Sequence, residues 1–177
     1  MKRKSCLIVC TRLFLVMLSY ESVAQEINHK LASVFVYNFT KYIDWPVAHK
    51  NGDFVIGVFG SSEVIQEFNK VVGTKKVGNQ SIVLQMRHSM EELDECNVVF
   101  VTVGESYRLK EIAAALRGKP TLIICEKPGL AKRGASIDLF LDEDDDYKTK
   151  FEINKKLIES NGLIISSQLI NLAEGVY

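Results

Sequence analysis

The side chains able to do chemistry are few and scattered along this 177-residue chain. His29, His49 and His88 stand far apart, and none has a second ligand four residues on, the spacing by which a helix holds zinc. The acidic run Asp142-Glu143-Asp144-Asp145-Asp146 is reminiscent of a calcium loop. It fails as one, because Tyr147 stands where the sharp turn needs glycine and Ile153 where the closing glutamate belongs. Gly57 and Gly60 lack the third glycine and the spacing of a dinucleotide fingerprint, and neither a Walker A loop nor a Gly-x-Ser-x-Gly elbow is present. No nucleophile stands beside a base. The residues therefore assign no catalytic group, no metal and no cofactor, and the chain is not expected to be an enzyme.

What remains is a place. In an open parallel sheet, ligands bind outside the carboxyl ends of the strands. Here those ends are Gly60-Ser61-Ser62, Gly104-Glu105-Ser106 and Glu126-Lys127. Gly60, Ser61, Ser62, Gly104, Glu105, Ser106 and Glu126 are thus the ligand-binding candidates. Their backbone N–H groups, hydroxyls and helix N-termini suit an anion or a small polar molecule. Ordinary turns and helix caps would look the same.

These loops need a frame of alternating strands and helices. Phe54–Phe59, Ser81–Gln85, Asn97–Val103 and Thr121–Cys125 read as strands. Between them lie a helix from Glu63 to about Val72 capped by Ser62, a short acidic helix at Met90–Glu95 and an Ala-rich helix at Tyr107–Leu116. Such alternation implies right-handed crossovers and a mostly parallel sheet covered on both faces. After Gly134 the pattern changes. Ser136–Leu141 and Lys150–Ile153 form a hairpin across the acidic loop. A helix at Lys155–Ser160 capped by Asn154, a short extended stretch at Leu163–Ile165 and a last helix from Ser167 to about Ala173 follow. The fold class expected is a three-layer, Rossmann-like α/β domain with an antiparallel hairpin near the C-terminus. On parallel strands Cys96 and Cys125 would lie on the order of 16 Å apart, so no disulfide is expected between them. Their redox role stays open.

The stretch Lys30–Pro46 reads as one amphipathic helix stopped by Trp45-Pro46. Leu31, Val34, Phe35, Asn38, Phe39 and Tyr42 share one face by spacing, and Val36, Ile43 and Trp45 spread the apolar surface further. Two readings stay open: a docking helix ending in an indole plug, or a patch in which Phe39, Tyr42 and Trp45 meet a partner.

At the N-terminus, Lys2, Arg3 and Lys4 precede an apolar run from Cys6 to Leu18, and Ser22-Val23-Ala24 places small residues where a signal peptidase cuts. Residues 1–24 are read as a secretory signal peptide cleaved after Ala24, and residues 25–177 as one domain. No later stretch is long enough to cross a bilayer. The full chain has net charge zero; the leader carries away four cations and one anion, leaving −3. That balance excludes the basic footprint of a nucleic-acid binder.

Several stretches carry a signal beyond their periodicity. They are Asn38-Phe39 with Lys41-Tyr42 and Trp45-Pro46, Phe54-Val55-Ile56-Gly57-Val58 with Gly60, and Cys96-Asn97-Val98-Val99-Phe100-Val101. Further along come Thr121-Leu122-Ile123-Ile124, Gly134-Ala135-Ser136-Ile137, Phe151-Glu152-Ile153-Asn154 and Gly162-Leu163-Ile164-Ile165-Ser166-Ser167-Gln168-Leu169. Together these stretches resemble the YfiR-like family of bacterial periplasmic proteins, and the resemblance implies a Rossmann-like fold, export to the periplasm and a non-enzymatic regulator. Such a regulator represses a membrane diguanylate cyclase by binding its periplasmic domain and so lowers cyclic-di-GMP signalling. Better-known members carry extra cysteine pairs, which this chain lacks, so redox control does not carry over. The expected partner is the periplasmic domain of a membrane signalling protein, either a diguanylate cyclase or a histidine kinase. A homodimer is left open. The reading from another class is a periplasmic protein that binds a small polar ligand in the strand-end crevice.

Overall fold

The structure, a computed structural model, describes residues 27–177. The signal peptide and its cleavage after Ala24 lie outside the described residues. Among the described residues the chain builds ten strands. They are β1 (Ile43–Asp44), β2 (Phe54–Phe59), β3 (Lys76–Val77), β4 (Gln80–Arg87), β5 (Val98–Val101), β6 (Leu122–Cys125), β7 (Ile137–Asp142), β8 (Lys148–Ile153), β9 (Ile164–Ile165) and β10 (Gly175–Val176). Its α-helices are α1 (His29–Phe39), α2 (Ser62–Val72), α3 (Leu109–Ala115), α4 (Lys155–Ser160) and α5 (Ser167–Ile170). Eight strands form one sheet in the order β10-β8-β7-β6-β5-β2-β4-β3, parallel throughout except at β7–β8 and β3–β4. The expected mostly parallel α/β fold with an antiparallel hairpin near the C-terminus is the one observed.

Alternation along the central strands divides the core in two, because successive side chains leave a strand on opposite faces. Ile56, Val58, Val98, Phe100, Leu122 and Ile124 pack on one face, with Val36 of α1, Phe68 of α2, Ile158 of α4 and Leu169 of α5. Val99, Val101, Ile123 and Cys125 pack on the other, with Leu109 and Ile112 of α3 and with Leu93 and Leu130 from connecting segments. The strands are therefore apolar throughout, as a sheet covered on both faces requires.

The first helix differs from expectation. Asn28 caps it, its Oδ1 accepting from the Lys30 N–H at 2.9 Å and the Leu31 N–H at 3.4 Å. It ends at Phe39, not at Pro46, because the next residues are drawn into a two-stranded ladder. Ile43 lies opposite Ile165 and Asp44 opposite Ile164, and the Ser166 N–H donates to the Tyr42 carbonyl at 2.8 Å. The buried face is Ala32, Ser33, Val36 and Phe39, while Leu31 and Val34 are exposed. Phe39 and Trp45, candidates for partner contact, are 1% and 5% exposed and belong to the core. The Phe39 ring meets Phe151 edge-on at 5.0 Å, and Trp45 meets Phe54 edge-on at 4.9 Å. The indole plug is the reading that holds. Tyr42 alone of the three keeps partial exposure.

Other boundaries shift by a turn. A 3-10 segment, Val103–Arg108, leads into α3, and the acidic helix is a single 3-10 turn at Glu91–Leu93. The last helix stops at Ile170, and the chain goes on to form β10 beside β8.

Candidate functional site

The carboxyl ends of β2, β5 and β6 open into a cavity of 560 Å³. Its floor is made by the residues that leave those strands: Ser61 and Val64 after β2, Thr102, Val103 and Gly104 after β5, and Glu126, Lys127 and Pro128 after β6. Ile27 and His29 close one side, and Phe140, Leu141, Glu143 and Tyr147 of the β7–β8 hairpin close another. Its size falls among ordinary small-molecule sites, roughly 300–1,000 Å³.

Of the seven ligand candidates, Ser61, Gly104 and Glu126 line this cavity; Gly60, Ser62, Glu105 and Ser106 do not. Ser61, rather than Ser62, occupies the cap position of α2, and its side chain makes no capping bond. Gly60 acts from behind. A Cβ there would stand 2.4 Å from both Cγ2 and Oγ1 of Thr102, so only glycine lets Thr102 sit against the end of β2. Ser106 Oγ is spent on the Val103 carbonyl at 2.8 Å. His29, Thr102, Phe140 and Tyr147 were not legible as site residues. They come from α1, the end of β5 and the β7–β8 hairpin, and no local motif joins them.

The polar character of the cavity also differs from expectation. A carboxylate, not a set of donors, dominates it. Glu126 is 6% exposed. Its Oε2 lies 3.5 Å from His29 Nε2, while Oε1 is buried with no hydrogen-bond partner among the described residues. A buried acceptor left unpaired costs about 1–3 kcal/mol. The other buried acid, Asp138, shows the usual solution: Oδ2 accepts from the Ala131 N–H at 2.9 Å and Oδ1 from the Glu152 N–H at 3.2 Å. Burial nonetheless holds the Asp138 carboxyl above the ordinary aspartate range.

A second concavity, 730 Å³, runs along β1 and is lined by Tyr42, Trp45, Lys41, Lys50, Gln80 and Ile164 among others. The Trp45 Nε1–H is buried there without a partner among the described residues. Val47 and Ile164 are 79% and 68% exposed, Ile164 being paired in register with Asp44 of β1.

The acidic loop holds its own cations. Lys150 Nζ reaches Asp142 at 2.6 Å and Asp145 at 3.3 Å, and Lys148 Nζ reaches Asp145 at 2.7 Å. Hydrogen bonds from these lysines pull the Asp142 and Asp145 carboxyls below the usual range. Cys96 and Cys125 are both buried and free, and burial pushes both thiols up; the Arg87 guanidinium, 3.4 Å from Cys96 Sγ, partly opposes this at Cys96. Among the described residues no group of three His, Cys, Asp or Glu side chains is placed to hold a metal, and no helix is long and apolar enough to cross a membrane.

Fold and site together define a Rossmann-like α/β domain with an open crevice at its strand ends. An ABC domain from Streptococcus pneumonia, solved in complex with L-Trp, shares this architecture at a TM-score of 0.54 and 13% identity. The match covers 70% of this chain but only 55% of that one, and at such identity it speaks for the fold alone. No curated protein matches the chain. Residues 29–174 match the YfiR/HmsC-like family, and the chain belongs to it. That is a family of periplasmic regulators of signalling rather than of catalysts.

Proposed function

We propose that this chain is a non-enzymatic periplasmic repressor. It binds the periplasmic domain of a membrane diguanylate cyclase or histidine kinase and lowers its output. The observation that carries the reading is the family match across residues 29–174. With Phe39 and Trp45 in the core, the contact surface moves to what lies outside them. Tyr42 and Ile164 line the groove along β1, Val47 is exposed two residues after the groove-lining Trp45, and large apolar side chains as exposed as Val47 and Ile164 suit a docking surface.

The test is capture of membrane proteins by the tagged exported chain, beside deletion of its gene with cyclic-di-GMP and kinase output measured. Capture of a membrane signalling protein and a raised signal on deletion are expected. Val47→Lys with Ile164→Lys should abolish capture and leave the fold intact, since both side chains are exposed and a cation opposite Asp44 in the ladder is not repelled. If deletion changes neither signal and nothing from the membrane is captured, the repressor reading fails. A second reading, binding of a small ligand in the strand-end crevice, is favoured by the 560 Å³ cavity and the buried Glu126 beneath it.

A further inference from the structure

We infer that the strand-end cavity is a binding site for a small organic ammonium ion, whose N–H donates to the Glu126 carboxylate. This deepens the ligand reading of the crevice and does not depend on the repressor reading.

Glu126 carries the inference. It follows directly on β6, and its own N–H is fixed to the Val101 carbonyl at 3.3 Å, so the backbone that bears the carboxylate is held by the sheet. The side chain is 5% exposed and lines the cavity. One oxygen is accounted for by His29; the other has no donor among the described residues. A protein that merely needed to bury an acid here would resemble Asp138, both of whose oxygens are met by backbone N–H groups. A carboxylate that lines a cavity with one oxygen still lacking a donor is complementary to a charged donor, and such hydrogen bonds are about twice as strong as neutral ones.

The rest of the lining sets the ligand's body. Ile27, Val64, Val103, Pro128, Phe140 and Leu141 are apolar and surround the acid, and the half-exposed Tyr147 ring stands with them. Glu143 adds a second carboxylate and Lys127 a single ammonium, so the charged lining does not favour an anion. The cavity therefore matches a cationic nitrogen on an apolar carbon skeleton, and opposes the anion that the helix N-termini alone suggest.

The probe is 2-phenylethylamine, with 2-phenylethanol as its neutral counterpart, each titrated by calorimetry and by amide chemical shifts into the exported chain. The amine is expected to bind about tenfold or more tightly than the alcohol, as a charge-assisted bond implies. The shifts should centre on Ser61, Gly104 and Lys127. Glu126→Gln should erase the difference between the two probes. Gly104→Leu provides an independent block. Gly104 lines the cavity and a Cβ there meets nothing within 4 Å, so the fold has room for a larger side chain at the cavity wall, and amine affinity should fall about tenfold. Equal affinity for amine and alcohol, or an amine preference that survives Glu126→Gln, overturns the ammonium assignment while leaving the crevice a binding site. No binding of either probe at millimolar concentration, or binding unaffected by Gly104→Leu, overturns the site itself.

Discussion

Gly60→Ala is the sharpest test of how the crevice is built. The added Cβ would lie 2.4 Å from Thr102 Cγ2, 2.4 Å from its Oγ1 and 2.9 Å from its Cβ. Each distance is below any ordinary contact, so one strand end must move by about 1 Å or Thr102 must rotate. Rotation is obstructed, since Thr102 is 9% exposed and its Oγ1 donates to the Phe59 carbonyl at 3.5 Å, while its N–H holds the backbone to the same carbonyl at 3.1 Å. Overpacking of this kind costs about 1–3 kcal/mol, and three close contacts place the change at about 2 kcal/mol or more. For a domain of this size that lowers the melting temperature by roughly 4–8 °C. Thr102→Ala removes the two atoms at 2.4 Å and leaves only the 2.9 Å contact. In the double variant the new methyl occupies vacated space, and a coupling of about 1 kcal/mol or more should appear in urea unfolding with an unchanged slope. If the two losses add to within about 0.5 kcal/mol, Gly60 and Thr102 do not touch as described and the reasoning fails.

Four further outcomes follow from the same packing. Trp45→Ala should cost about 3–5 kcal/mol, near the low end because an unpaired indole N–H leaves with it; a loss under about 1 kcal/mol in urea unfolding would place Trp45 at the surface. Gly57→Ala sets a Cβ 2.6 Å from Cys96 Sγ and should be destabilising alone but tolerated with Cys96→Ala, and thermal unfolding that shows no rescue refutes the contact. Neither Cys96 nor Cys125 should react with a thiol reagent at pH 8 until denaturant is added, because both are buried with raised thiol pKa values; fast native labelling counts against that burial. Mass spectrometry of cell-envelope protein should find Gln25 as the N-terminus, and an intact Met1 in the cytosol sinks the export reading.

Much of the sheet was legible because its strands are short apolar runs between turn residues. Phe54–Phe59 and Lys155–Ser160 fall on the expected residues, the latter with Asn154 Oδ1 accepting from the Leu157 N–H at 2.9 Å. What failed were decisions made by distant partners. Periodicity could not show that Ile43 and Asp44 leave the first helix, since the strand that takes them lies at Ile164–Ile165. Nor could it choose between two overlapping apolar faces of that helix; Phe151 and α2 make the choice, leaving Leu31 and Val34 outside. Topology pointed to the strand-end loops and to Glu126. The sign of the site's chemistry did not follow, because it depends on one oxygen of Glu126 lacking a donor, a fact of packing rather than of sequence.

The ladder between β1 and β9 sets an order in time. Its halves are about 120 residues apart, and Phe39 likewise waits for Phe151. At roughly 5–20 residues per second of synthesis, the aromatic face around Phe39 and Trp45 stays unsheltered for roughly 6–24 s after it emerges. The central strands β2, β4, β5 and β6 can pair among themselves before then. The first helix among the described residues is therefore among the last to find its place, and the stretch from Leu31 to Trp45 is where a holding chaperone has the longest opportunity to bind.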